Sequence, residues 1–435
     1  ARTNSTVEAQ KLSSLDLLCS SVRCCQDVRC NPALLEPLAM FFTLDAEFVA
    51  GKQITDLVIL AVIHQNAEIG CELPKTATYV ESVLDSLEIQ HRRFFGCGVA
   101  AWIGEGERTV MLRADMDALP GNETSGLPYA CSTGAVHACG HDIHTSMLLG
   151  AAKLLQAHRN ELHGRVVLMF QPGEEVGLGA ADMLADGLLT DPKVDAALAL
   201  HPSVLMPGSR TGALRCIRGQ YGRVVGGVTI RIRGRSAHGA ASWRGVDALT
   251  VASMLNLAFQ SVIAREVPSD EADIILTGTM AGGPTANSVA GEALLGVTLR
   301  APDREKWDFL LSRVEEITRH VAAAFRAEAE VTHDHCIGAP YNDPALTERF
   351  AAWAAETIGA EHVELTDRSF GAGDDFYHVT DAVPAALLNL GFGSREEGFQ
   401  FGGHNPHVVY NEAALPVGAA VFAALAMRWL EENGR

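Results

Sequence analysis

The sequence predicts an α/β domain with a mostly parallel mixed sheet, interrupted by a smaller α+β domain. Three observations predict it. Apolar runs at 98–103, 109–114, 165–171 and 196–201 alternate with helical patterns at 143–157 and 179–186. Strands alternating with helices build a parallel sheet covered on both faces. From about Tyr221 the texture changes: strand 224–233, helix 246–264, strands 273–280 and 294–300, helix 304–325 and strand 328–333. That order, βαββαβ, is the order of a ferredoxin-like unit. The α/β texture then returns, with a helix at 350–357, a buried strand at 385–390 and a long helix at 413–432. The expected organisation is an N-terminal appendage over 1–50, one domain formed by 51–220 and 333–435, and an inserted domain over 221–332.

The 435 residues suffice for two domains with a sizeable core, and 48% apolar against 20% charged residues marks a globular chain. A net charge of −19 argues against nucleic acid and anionic membranes as partners. No uninterrupted apolar run approaches the ~20 residues of a membrane span, and the first residues lack the basic-then-apolar pattern of a secretory signal. A cytoplasmic protein is expected. Ten cysteines are too sparse for a disulfide scaffold. Cys19, Cys24, Cys25 and Cys30 cluster without zinc-module spacing, so free thiols are expected there.

The chemistry concentrates where apolar runs end, the positions that converge on one crevice in an open α/β fold. The run 109–114 leads into Asp115 and Asp117, which lie on the same side of an extended chain. Cys139, His141, Asp142 and His144 crowd a loop-to-helix junction. Thiolate and imidazole suit zinc and related ions, and Gly140 lets the backbone fold so that Cys139 and His141 reach one centre. The run 165–171 breaks at Pro172-Gly173 and delivers Glu174-Glu175. One carboxylate can hold a metal while the other handles a water's proton. His201 ends another apolar run. His404 lies in a loop that no helix or strand pattern explains, with His407 competing from spacing alone. In the inserted domain, His238 and Asn287 sit in turns and Arg300 at a strand end. They are candidates for an oxyanion contact, a second donor and a substrate-carboxylate contact. Each feature alone also fits a plainer reading, such as a solvated turn, a core histidine or acidic residues at a helix start.

Taken in order, the motifs resemble the M20 metallopeptidase family, most of all its amidohydrolase branch of aminoacylase-, hippurate-hydrolase- and auxin-conjugate-hydrolase-like enzymes. The matching strings are IHQNAEIGCELPKTA (63–77), MLRADMDALP (111–120), HACGHDIHTSMLLGAA (137–152), FQPGEE (170–175), HP (201–202), GRSAHGAAS (234–242) and GGHNP (402–406). The resemblance covers about residue 55 to the C-terminus. It implies a zinc-peptidase-like catalytic domain with an inserted lid and dimerisation domain, and a homodimer or larger homo-oligomer formed through that lid. The implied reaction is hydrolysis of an amide joining an acyl group to an amino acid or similar amine. By motif, Cys139, His141, Glu175, His201 and His404 fall on metal-ligand positions, Glu174 on the general base and His238 on the lid histidine. The implied cofactor is one or two divalent ions: zinc, manganese, cobalt or nickel. Asp115 stands where related peptidases have a ligand histidine and is not taken as a ligand. Asp117 is taken as a carboxylate supporting the ligands from behind.

The chain also departs from the branch. His64-Gln65-Asn66-Ala67-Glu68 lacks the usual Pro, Gly373-Asp374-Asp375-Phe376 replaces Ser-Glu-Asp-Phe, and Ser242-Trp243 replaces Pro-His. The alternatives are a metallo-dipeptidase or carboxypeptidase, a non-catalytic binding protein on the same fold, and a thiol redox protein built on Cys139.

Overall fold

The computed structural model describes residues 57–268, 273–333 and 336–434. The expected appendage and its cysteine cluster lie outside the described residues. The chain divides into two compact units. The described part of the first runs from residue 57 to Arg218 and resumes over Asn342–Asp367 and from Ala382 to residue 434; the second comprises Gly219–Tyr341 and Arg368–Asp381. The sequence reading put 368–381 with the first unit. Its backbone is instead hydrogen-bonded into the second, with Phe370 N–H donating to Tyr221 O and Arg223 N–H to Ala372 O.

The first unit opens with helix α1 (57–65) and α2 (Pro74–Ser86). It continues with strands β1 (Gln90–Phe94), β2 (Gly98–Gly104) and β3 (Thr109–Asp115), helix α3 (His141–Ala157), strand β4 (Arg165–Gln171), helix α4 (Gly179–Ala185), and strands β5 (Ala196–Ser203) and β6 (Leu214–Ile217). The second unit supplies β7 (Val224–Arg233), α5 (Ala248–Arg265), β8 (Ile274–Gly282), β9 (Glu292–Ala301), α6 (Arg304–Ala324) and β10 (Glu328–His333). The first unit is completed by α7 (Pro344–Ile358), β11 (Val363–Thr366), β12 (Ala385–Gly391) and α8 (Leu415–Asn433).

The first unit holds an eight-stranded mixed sheet in the order β1-β2-β4-β3-β5-β12-β6-β11. Its centre, β4-β3-β5-β12, is parallel throughout. Every residue of β3 and β12 is buried, which is why these strands read as unbroken apolar runs. Between His141 and Leu155 only Lys153 of α3 escapes burial, and most of α8 is buried as well. Two helices, Ala248–Arg265 and Glu412–Asn433, are long and apolar enough to cross a membrane by length and composition alone. The second is 78% buried over its apolar window, as a core helix is. Strands β1, β6 and β11 carry too little apolar pattern to be predicted: Gln90–Phe94 reads QHRRF, and the other two are four residues each.

In the second unit the strands are antiparallel in the order β8-β9-β7-β10. This is ferredoxin-like connectivity. Inward positions of β7 alternate with exposed ones, and the inward face packs with α5 and α6 around Trp307, Leu310 and Phe259.

Candidate metal centre

Three parallel strands and one helix bring the chemistry to the carboxyl edge of the first unit's sheet. β3 ends at Asp115, opposite Gln171 at the end of β4. β5 carries His201, opposite Asn389 of β12. α3 begins at His141. Gly140 turns the chain into that helix with φ +86°, and a Cβ there would meet Pro202 Cγ at 2.9 Å. Both constraints favour glycine.

The ligand-type atoms of Cys139, His141 and His201 lie within 4.8 Å of one another, and so do those of Cys139, Glu175 and His404. Cys139 joins the two groups. Its Sγ is 3.6 Å from His201 Nε2, and Glu175 Oε1 is 3.6 Å from His404 Nε2. The rings are aimed by their other nitrogens. His141 Nδ1 donates to Asp117 O at 2.9 Å and His201 Nδ1 to Pro202 O at 2.7 Å, so each Nε2 faces the cluster and can ligate a cation once it carries no proton. His407 Nδ1 lies 2.8 Å from Thr124 Oγ1, while His404 is the one of the two that groups with Cys139 and Glu175.

Asp117 lies behind the two glutamates. Its carboxylate accepts the backbone N–H groups of Glu174 and Glu175, both at 3.1 Å. Glu174 is 7% exposed, and its Oε2 is 3.9 Å from His141 Nε2. The sheet edge thus presents two adjacent carboxylates, Glu175 in the thiol–imidazole group and Glu174 beside it.

The donor set fits a divalent cation. A thiol, three imidazoles and a carboxylate are the ligand types of zinc and its neighbours. His141 Nε2 and Glu175 Oε1 are buried without hydrogen-bond partners, an arrangement that is costly unless something else binds them. The electrostatics agree. Burial pushes the Glu175 carboxyl up to about 7 and the Cys139 thiol well up, against the opposing pull of His141. A bound cation would reverse both shifts.

Sequence reasoning missed the layer beneath. Asp115, Arg113 and His144 are almost wholly buried together. Arg113 Nη1 lies 2.9 Å from Asp115 Oδ2 and its Nε donates to Gln171 Oε1 at 2.9 Å, while His144 Nδ1 abuts Asp115 Oδ1. Burial alone would raise the Asp115 pKa, but Arg113, His141 and His144 together hold it well below the usual carboxylate range. Asp115 is the counter-ion of this layer, and its carboxylate also lies within 4.8 Å of ligand atoms of His141 and Glu174. The alternation of Arg113 and Asp115 along the strand, continued by Asp117 just beyond its end, was the available signal. Arg113→Met should destabilise the fold by about 3–5 kcal/mol, because it strands a buried carboxylate; chemical denaturation of the metal-free protein measures it.

Of the candidates in the second unit, His238 and Asn287 come together. His238 pairs with Ser288 across a short two-stranded ribbon, and Gly239 N–H donates to Asn287 O at 2.8 Å. His238 Nδ1 accepts from Ala240 N–H at 3.1 Å, which leaves Nε2 to carry the ring proton. Arg300 stands apart, near the far end of β9, on the order of 25 Å along the strand from Glu292.

The profile of Peptidase family M20/M25/M40 matches residues 111–428. An IAA-amino acid hydrolase ILR1-like 6 of Arabidopsis thaliana is 34% identical over 85% of this chain and 79% of its own length. An N-acetyl-L-cysteine deacetylase of Bacillus subtilis (strain 168) is 32% identical over 85% of this chain and 87% of its own. Among solved structures, the YXEP protein of Bacillus subtilis, described as a dinuclear metal-binding peptidase of the M20 family, superposes with a TM-score of 0.71 at 25% identity, over 88% of this chain and 99% of that one. With its motifs in order, its sheet edge built from them and relatives matched along most of its length, this chain belongs to peptidase family M20/M25/M40.

Proposed function

We propose that this chain hydrolyses the amide bond of N-acyl amino acids or related amide conjugates with one or two divalent cations held by Cys139, His141, Glu175, His201 and His404. The observation that carries the reading is the convergence of two ligand groups on one thiol, 139 with 141 and 201, and 139 with 175 and 404. The relatives named for IAA–amino acid and N-acetyl-cysteine hydrolysis support the substrate class.

When bound, a divalent cation lowers the pKa of water and polarises a carbonyl. The protein supplies the rest. Glu174, held in place by Asp117, takes the proton of the attacking water and returns it to the leaving nitrogen as the amide bond breaks. His238, with its proton on Nε2, donates to the carbonyl oxygen as negative charge develops there, and Asn287 adds a second donor. Arg300 remains a candidate for the substrate carboxylate on its charge alone.

We further propose a homodimer or larger homo-oligomer joined through the second unit. One of its two edge strands, β8, exposes Ile274 and Leu276, and the neighbouring α5 exposes Leu257 at 65%. An unpaired apolar edge is a pairing template for a second copy. In that assembly His238 serves the partner's site. Mixing His238→Ala subunits with Glu174→Gln subunits, each inactive alone, should restore activity in the mixed dimers; mixtures that stay dead exclude the cross-subunit arrangement. A cytoplasmic setting is part of the same proposal.

The test of the reaction is a hydrolysis panel of acetyl-, benzoyl-, fatty-acyl- and indole-acyl amino acids beside free dipeptides, with metal analysis of the same sample. Chelation should abolish hydrolysis, and manganese or zinc should restore it. Preferential cleavage of dipeptides would make the protein a metallo-dipeptidase instead, and activity that survives chelation would remove the metal mechanism.

A further inference from the structure

One motif singled out in the sequence is left unused by the mechanism: the stretch from His64 to Glu68. Glu68 has a local task, accepting from Thr76 N–H at 2.9 Å at the start of α2. His64 does not act locally. Its Nδ1 is 2.6 Å from Asp142 Oδ2, and its Nε2 is 3.0 Å from both oxygens of Glu123. All three side chains are nearly closed to solvent. Burial would lower the His64 pKa, but the two carboxylates outweigh it and raise it to about 10. The ring is therefore a charged bridge between residues 78 and 59 positions away.

Each end of the bridge leads to a ligand segment. Asp142 follows His141. Glu123 precedes Thr124, whose N–H donates to Pro406 O at 2.8 Å and whose Oγ1 is 2.8 Å from His407 Nδ1. That segment contains His404, which sits at φ +63° with its N–H donating to Ala138 O at 2.8 Å. A non-glycine residue in the left-handed region is held only where its surroundings over-determine it. Glu123 and Thr124 form a two-residue strut between the segment of Cys139 and His141 and the segment of His404.

The geometry points to His64, Glu123 and Thr124 as positioning residues that set the separation of the two ligand groups meeting at Cys139, and hence the affinity for cations. The inference rests on the metal reading above, but the strut itself is testable without metal. Outer contacts of this kind typically govern metal affinity by about 10- to 100-fold. His64→Gln, which keeps one hydrogen bond but loses the charge, should weaken manganese binding by at least about 10-fold and lower kcat with little change in KM. Thr124→Val, at an exposed position that leaves the core intact, should do the same by about 10-fold, the lower end of that range.

The experiment pairs manganese titration with amide hydrogen exchange of metal-free protein. Exchange should rise over 137–142 and 402–408 in both variants, with the second unit unchanged. If His64→Gln fails to fold, Thr124→Val decides. Unchanged exchange in both segments overturns the strut, and raised exchange with unchanged manganese affinity overturns its positioning role. A wild-type protein that binds no manganese or zinc removes the proposed function, while the exchange arm still judges the strut.

Discussion

Glu174→Gln should bind its cations as the wild type does and lose between about 10²- and 10⁴-fold in kcat, the span that a positioned general base commands. The substitution keeps the shape of the side chain and the backbone N–H bond to Asp117, which comes from the main chain. It removes only the capacity to accept a proton from water and return it. The neighbouring glutamate makes the experiment discriminating. Glu175 is the carboxylate grouped with Cys139 and His404, whereas Glu174 groups instead with His141 and Asp115. Glu175→Gln should therefore lower cation affinity first and rate as a consequence, so that excess metal recovers part of its activity. No metal concentration should rescue Glu174→Gln. Metal content by elemental analysis, with kcat measured across a metal titration, separates the two. Near-normal turnover in Glu174→Gln would remove the base assignment, and loss of metal in that variant would exchange the two roles.

Much of this architecture was legible because the fold writes its centre in unbroken apolar runs. Thr109–Asp115, Arg165–Gln171 and Ala196–Ser203 are buried on both faces, and each hands the chain to a polar residue at the same edge. The ligand candidates could be collected from the ends of those runs without knowing the sheet order. What escaped the sequence was of two kinds. Edge strands such as Gln90–Phe94 bury little, so polar residues satisfy them and the period-2 signal disappears. Contacts between distant segments leave no periodic trace at all. Nothing in the spacing says that His64 bridges Asp142 and Glu123, or that Arg113 neutralises Asp115 rather than facing solvent. Those facts depend on which loops meet, and the meeting is decided by the packing of α1, α3 and the sheet rather than by any local propensity.

Cys139→Ala should cost more cation affinity than the roughly 10- to 100-fold typical of an outer contact, because Cys139 belongs to both ligand groups. Its loss should abolish hydrolysis at ordinary metal concentrations while leaving the fold in place. The half-buried Cys139 lies next to His201, Glu175 and His404, and among the described residues no backbone group depends on its sulfur for a hydrogen bond. The chemical question is why a thiol stands there. A thiolate is soft and favours zinc, whereas a carboxylate at the same point favours harder ions such as manganese. Cys139→Asp should therefore restore part of the activity that alanine loses, and restore it better with manganese than with zinc. The same substitution removes the burial-raised thiol proton that must leave when a cation binds. Proton release on metal binding, followed by calorimetry in buffers of different ionisation enthalpy, should accordingly fall in Cys139→Asp near neutral pH. If alanine at 139 binds cations as tightly as the wild type, the two groups do not share their thiol and the centre must be built on other residues. If aspartate recovers activity with zinc in preference to manganese, the thiolate does not set the choice of ion.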